Sequence, residues 1–140
     1  MVKLGKPQVL TKVSDRTIYL QWVDRPFKTP DNKDMPIAVS SHTVYMVWNH
    51  LLQYVNPNVI NFVLWHEIGH IVLGHYKNGG PRNIDEENAA DAFALSKLEG
   101  QKLFSKEDVA DFCRWFGSIC GKLEKVTDEY IESQYKRFGL

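Results

Sequence analysis

At 140 residues and 44% hydrophobic content, the chain is long enough to bury one modest core and too short for two ordinary domains, so residues 1–140 are read as a single domain. Lys plus Arg and Asp plus Glu both total 17, and the basic residues are scattered rather than striped along one element. That balance argues against a nucleic-acid or anionic-membrane partner recognised by bulk charge.

The N-terminal stretch MVKLGKPQVL has no apolar run of signal-peptide length and no small-residue cleavage site, so a cytoplasmic setting is expected. From there VLTKV, SDR and TIYLQWV, the last alternating with period two, predict a hairpin. The segment DRPFKTPDNKDMP is rich in turn residues, and PIAVSS predicts a third strand. The remainder reads as helix. Ser40 or Ser41 is a candidate cap for a helix through HTVYMVWNHLLQYV, which must end before Pro57. Asn56 then caps a second helix with Pro57 at its first position, where the missing N–H costs nothing. KNGGPRN breaks that helix, and Asp85 restarts one that runs to Gly100. SKED predicts a capping box for a helix over 106–123, and Thr127 caps a last one through DEYIESQYKRF, whose YKRF end reads as an ordinary solvated terminus. Strands first and five helices after them predict an α+β arrangement.

Two cysteines, Cys113 and Cys120, stand seven apart on one predicted helix, roughly 10 Å along its axis and beyond disulfide reach. Reduced thiols are expected, with Cys113 a small buried hydrophobe. Trp48, Phe62, Trp65, Phe93 and Trp115 recur at helical spacing among aliphatic residues and are read as core. His50 is read as a surface or boundary residue.

The stretch FVLWHEIGHIVLGHY, residues 62–76, sets three histidines and a glutamate in an apolar run, where groups without partners would be costly to bury. Asn61, His66, Glu67 and His70 also break the run too often for a membrane span. On a helix His66 and His70 lie about 40° apart in projection and present two imidazoles to one divalent metal. Glu67 points to the adjacent flank, within reach of a metal-bound water without ligating the metal. This is the H-E-x-x-H arrangement of zinc peptidases, with the glutamate as general base.

Catalytic zinc usually takes three protein ligands. His75, nine residues after His66, points about 180° away if the helix continues. Gly74 can end the helix and swing His75 round, but the spacing is not the metzincin one. His75 is therefore read as a helix-end residue satisfied by carbonyls or water. The better third ligand lies in DEENAADAFAL, where Glu87 and Asp91 share a face with the small Ala90 and Ala94. Small residues let the two helices approach, so that the short Glu87 stem reaches the metal and Asp91 accepts the outer ring N–H of a ligating histidine. Helix-dipole preference accounts for Asp85 and Glu86, but not for an acidic residue one turn later on an alanine-rich face.

HEIGHIVLGH followed by ENAADAFA resembles the ImmA/IrrE family of small zinc metallopeptidases and, more broadly, the gluzincin arrangement. The resemblance covers roughly residues 36–98. It implies a minimal zincin-like fold, in which a small N-terminal antiparallel or mixed sheet packs on an active-site helix with further helices C-terminal to it. It implies bound Zn2+ held by His66, His70 and Glu87, Glu67 as general base and Asp91 as the supporting aspartate. It also implies a protein substrate such as a repressor or other regulator encoded by a phage or mobile element.

Two functions compete: a cytoplasmic zinc endopeptidase, and a zinc-stabilised protein-interaction module of the same fold with little or no hydrolytic activity. The retained Glu67 favours the first, because a purely structural site has no use for a base beside an open metal position. An accidental H-E-x-x-H, a third reading, is disfavoured by the paired downstream motif. For the oxyanion, His42, Tyr45, Tyr76 and Arg82 are candidates of equal rank. The strand PIAVSS is a candidate to hold extended substrate by edge pairing.

Overall fold

The hairpin forms where the alternation places it. In the computed structural model, which describes residues 4–28, 34–78, 83–98, 104–120 and 128–138, strand β1 (Gln8–Val13) pairs antiparallel with β2 (Arg16–Val23). Val13 faces Arg16, leaving Ser14 and Asp15 as a two-residue loop with φ of 47° and 64°. Two successive positive φ angles match the primed turns whose twist suits a hairpin, and Asp tolerates that region better than most residues. The turn-rich stretch that follows holds a short ribbon, β3 (Phe27–Lys28) against β4 (Asp34–Met35). PIAVSS supplies β5 (Ile37–Val39).

The predicted helix beginning at Ser40 or Ser41 is not found. Thr43–Val47 is instead strand β6, parallel to β2 on one side and antiparallel to β5 on the other, in a sheet of order β1-β2-β6-β5. Thr43, Val44 and Val47 are β-branched and stiff, which favours the pleated conformation. Four of the five β6 residues are buried, as befits a strand flanked on both edges. A 3-10 helix, His50–Tyr54, follows, with the Asn49 side chain accepting from the Leu51 N–H.

Asn56 and Pro57 start α1 (Pro57–Val72) as the sequence implies, the Asn56 side chain accepting from the Asn58 N–H. The helix ends at Leu73, and Gly74, with φ of 78°, turns the chain out of it. A 3-10 turn, His75–Asn78, comes next. Helix α2 (Ile84–Lys97) starts one residue ahead of Asp85, because Asn83 and Glu86 close a reciprocal capping box. Helix α3 (Lys106–Cys120) opens on the predicted SKED box, in which the Ser105 N–H donates to Asp108 and the Asp108 N–H donates to the Ser105 hydroxyl. Asp108 also accepts from Asn56, tying the starts of α1 and α3 together. Helix α4 (Asp128–Tyr135) runs into a 3-10 turn, Lys136–Phe138. Gly100, residues 121–123 and the predicted cap Thr127 lie outside the described residues.

Helix α1 is apolar nearly all round because it is covered nearly all round: β5 and β6 lie against it, as do α2 and α3. The core joins Ile18, Val44 and Met46 of the sheet to Val59, Phe62, Ile68 and Ile71 of α1 and to Val109 and Trp115 of α3. The result is the expected α+β architecture, a mixed N-terminal sheet followed by helices. Of the aromatics read as core, Phe62 and Trp115 are fully buried, whereas Trp48 is 39% exposed. Trp48 follows the end of β6, so the helical spacing that assigned it inward does not exist. Trp65 and Phe93 are half-buried against each other, with the Lys97 ammonium 5.4 Å from both ring centroids. Cys113 is buried, Cys120 is half-buried, and His50 is exposed. Among the described residues no helix is long and apolar enough to cross a membrane.

Candidate metal centre

The i, i+4 spacing on α1 brings the His66 and His70 rings edge to face, with their Nε2 atoms 3.1 Å apart and both side chains almost fully buried. Helix α2 runs close beside them because of what its contact face lacks. Ala90 and Ala94 are fully buried there, and opposite them Gly69 offers no side chain; a Cβ added to it would lie 3.3 Å from the Ala90 Cα and 3.1 Å from Phe93. Glu87, one turn before Ala90, therefore reaches both imidazoles, with Oε1 3.1 Å from His70 Nε2 and Oε2 3.3 Å from His66 Nε2.

His66, His70 and Glu87 thus form a group that can hold a metal ion, and their chemistry fits one. Two nitrogen lone pairs and a carboxylate facing one another need a cation or shared protons between them. Ligands held tetrahedrally at zinc distances are about 3.3 Å apart, close to the separations seen here. Glu67 sits on the flank, its Oε1 3.9 Å from His66 Nε2.

Behind the Nε2 atoms, each ring has a polar partner. His66 Nδ1 lies 2.7 Å from Asp91 Oδ1, and because that acceptor is a carboxylate, Nδ1 carries the proton and Nε2 faces the centre. His70 Nδ1 lies 2.8 Å from His75 Nδ1. His75, read from the sequence as a helix-end residue, has a ring partner that this reading did not include: Gly74 turns the chain so that His75 stands behind His70, not in front as a ligand. A cation on His70 Nε2 requires the shared proton on His70 Nδ1, with His75 accepting.

A further residue, Arg137, reaches the centre from outside both motifs. The YKRF end is no plain solvated terminus: the Arg137 Nε donates to Asp91 Oδ2 at 3.0 Å and Nη2 to Oδ1 at 3.3 Å, while Phe138 is buried. No local signal marks such a contact, since Asp91 and Arg137 are 46 residues apart.

Electrostatics follow from this crowding. Burial, the largest influence on His66, would lower its pKa, but the Asp91, Glu87 and Glu67 carboxylates outweigh it and raise the value from 6.5 to about 9. Burial likewise works to raise Glu87 and Asp91. The two histidines overcome it at Glu87 and hold that carboxyl well below the usual range, and His66 with Arg137 lowers Asp91. The candidate oxyanion donors are placed but given no role: His42 is edge-on to Tyr19, Tyr45 is edge-on to Phe27, Tyr76 lies under Lys77, and Arg82 is outside the described residues.

A family model for Peptidase U49 matches residues 7–117, a span that holds the whole sheet, the two helices of the centre and most of α3. No curated protein and no solved structure matches the chain.

Proposed function

This chain belongs to the peptidase U49 family, and we propose that it acts as a zinc-dependent endopeptidase in which His66, His70 and Glu87 hold the metal and Glu67 is the general base. The observation that carries this reading is the meeting of two Nε2 atoms and one carboxylate from two helices, with a second carboxylate on the flank. Zinc, when bound, supplies a Lewis acid that brings the pKa of a coordinated water to about 7 and polarises the scissile carbonyl. Glu67 takes the proton that the attacking water gives up and delivers it to the amide nitrogen as the C–N bond breaks. Asp91 and His75 hold the ring orientations throughout. Strand β5 ends the sheet order and lies against α1, so its outer edge is suited to hold substrate main chain in extended form. The likeness to ImmA/IrrE peptidases adds that the substrate is a protein such as a phage or mobile-element repressor, cleaved in the cytoplasm.

Elemental analysis of the purified protein beside a His66→Ala variant tests the centre. About one zinc per chain, lost in the variant, supports it, and no metal in either overturns it. Zinc without cleavage of any protein would favour the interaction module.

Proton release gives a further expected result. In the metal-free protein His66 holds a proton that stabilises the fold fully below the ordinary pKa of 6.5, and that contribution is lost as pH rises through about 9. Between those values zinc must displace this proton, so its affinity falls by about tenfold per pH unit as the solution is acidified. Calorimetric titration at pH 7.5 in buffers of different ionisation enthalpy should show more than one proton released per zinc bound, about one from His66 and the rest from the coordinated water of pKa about 7.

A further inference from the structure

We propose that Arg137 is a positioning residue of the metal centre, fixing the Asp91 carboxylate in the orientation that receives the His66 Nδ1–H, so that the C-terminal turn is a working part of the site. The inference rests on the zinc reading above and goes beyond it, because residue 137 lies outside the segment that the peptidase family model matches.

Three observations converge. First, the guanidinium grips both oxygens of Asp91, with Nε 3.0 Å from Oδ2 and Nη2 3.3 Å from Oδ1, the same Oδ1 that lies 2.7 Å from His66 Nδ1. Without that fork the carboxylate can rotate about its terminal bond, and the imidazole loses its fixed outer partner. Secondly, the fork is itself held. Arg137 Nη1 donates to Gln134 at 3.0 Å, and the neighbouring Phe138 packs its ring 4.6 Å from Phe62, one turn before His66 on α1, and edge-on to Phe104 and Phe112. The turn is thus pinned to the helix whose histidines it serves. Thirdly, the charges balance. Glu67, Glu87 and Asp91 bring three negative charges, which a divalent cation alone leaves uncompensated, and Arg137 Nη2 lies 3.8 Å from Glu87 Oε2 as well as against Asp91.

Lysine keeps the charge but has no planar fork, so the pair Arg137→Gln and Arg137→Lys separates charge from orientation. Zinc affinity is measured by chelator competition, and Co2+ is substituted to read ligand geometry from its visible spectrum. Zinc binding to Arg137→Gln is expected to weaken by about 10–100-fold, with an altered Co2+ spectrum and unchanged far-ultraviolet circular dichroism. Arg137→Lys should recover only part of the loss. In an Asp91→Asn background, Arg137→Gln should add little, because its effect passes through Asp91. Should Arg137→Gln fail to fold, Arg137→Lys carries the same comparison. Unchanged affinity and spectrum in both variants, with the parent binding one zinc, would overturn this inference alone. A parent that binds neither zinc nor cobalt would overturn the zinc reading itself, and this one with it.

Discussion

Glu67→Gln is expected to lower peptide-bond hydrolysis by about 10²–10⁴-fold, the usual worth of a general base, while the zinc content stays at that of the parent. The substitution is isosteric and leaves His66, His70 and Glu87 in place, so the proton acceptor is lost while the ligand set is kept. The Glu67 side chain is 15% exposed, with Oε1 3.9 Å from His66 Nε2, too far for that nitrogen to depend on it as a hydrogen-bond partner. The loss should therefore fall on kcat, with KM nearly unchanged, because glutamine fills the same volume beside the bound substrate. Removing a negative charge beside His66 also withdraws one of the influences that raise its pKa, so the metal-free variant should hold the His66 proton less tightly than the parent. Steady-state kinetics on a cleaved protein substrate, with zinc measured in the same preparations, checks both halves. Hydrolysis at the parental rate would remove Glu67 from the mechanism.

The parts of this molecule legible in the sequence are those decided within a few residues of one another. Asn56 and Pro57 announce α1, Ser105 with Asp108 announces α3, and the four-residue spacings of His66 with His70 and of Glu87 with Asp91 place each pair on one helix face. The strand β6 and the Arg137 contact, which local sequence does not show, are decided at long range. TVYMV carries both an alternating and a near-helical pattern, and parallel pairing with β2, more than twenty residues earlier, settles it as the strand β6. Register of that kind rewards the chain only after a long loop has closed, and no window of local sequence holds the information. That Gly74 can end α1 is legible in the sequence, but the angle at which it turns the chain, and so the pairing of His75 with His70, is set by the packed structure. A basic residue near a helix end is so often solvated that Arg137 carries no signal of its own; the burial of Phe138 beside it and the Gln134 contact hold the guanidinium at Asp91.

Gly69→Leu is expected to damage stability and metal binding together, because the closeness of α1 and α2 is what brings Glu87 to the histidines. Gly69 lies between His66 and His70 on α1, and a Cβ there would already stand 3.3 Å from the Ala90 Cα and 3.1 and 3.3 Å from the Phe93 ring and Cβ. A phenyl ring at a half-buried position can yield by a few tenths of an ångström, but a backbone carbon within a helix can move only with the helix. Leucine therefore has to push α2 outward, at a cost of about 1–3 kcal/mol for an overpacked interface. Glu87 stands three residues before Ala90 and Asp91 one residue after it, so the carboxylate that bridges both Nε2 atoms and the one behind His66 retreat together. Zinc affinity should fall by about 10–100-fold or more, since even outer partners of a ligating histidine are worth that much. Gly69→Ala separates the two effects. Its helix propensity gain, about 0.8–1.0 kcal/mol, offsets the slight displacement, so metal-free stability should stay within about 1 kcal/mol of the parent while zinc binding still weakens. Urea unfolding of the metal-free proteins and chelator competition for zinc would measure the two quantities separately. Parental zinc affinity in Gly69→Leu would show that Glu87 reaches the histidines without the close approach of the helices.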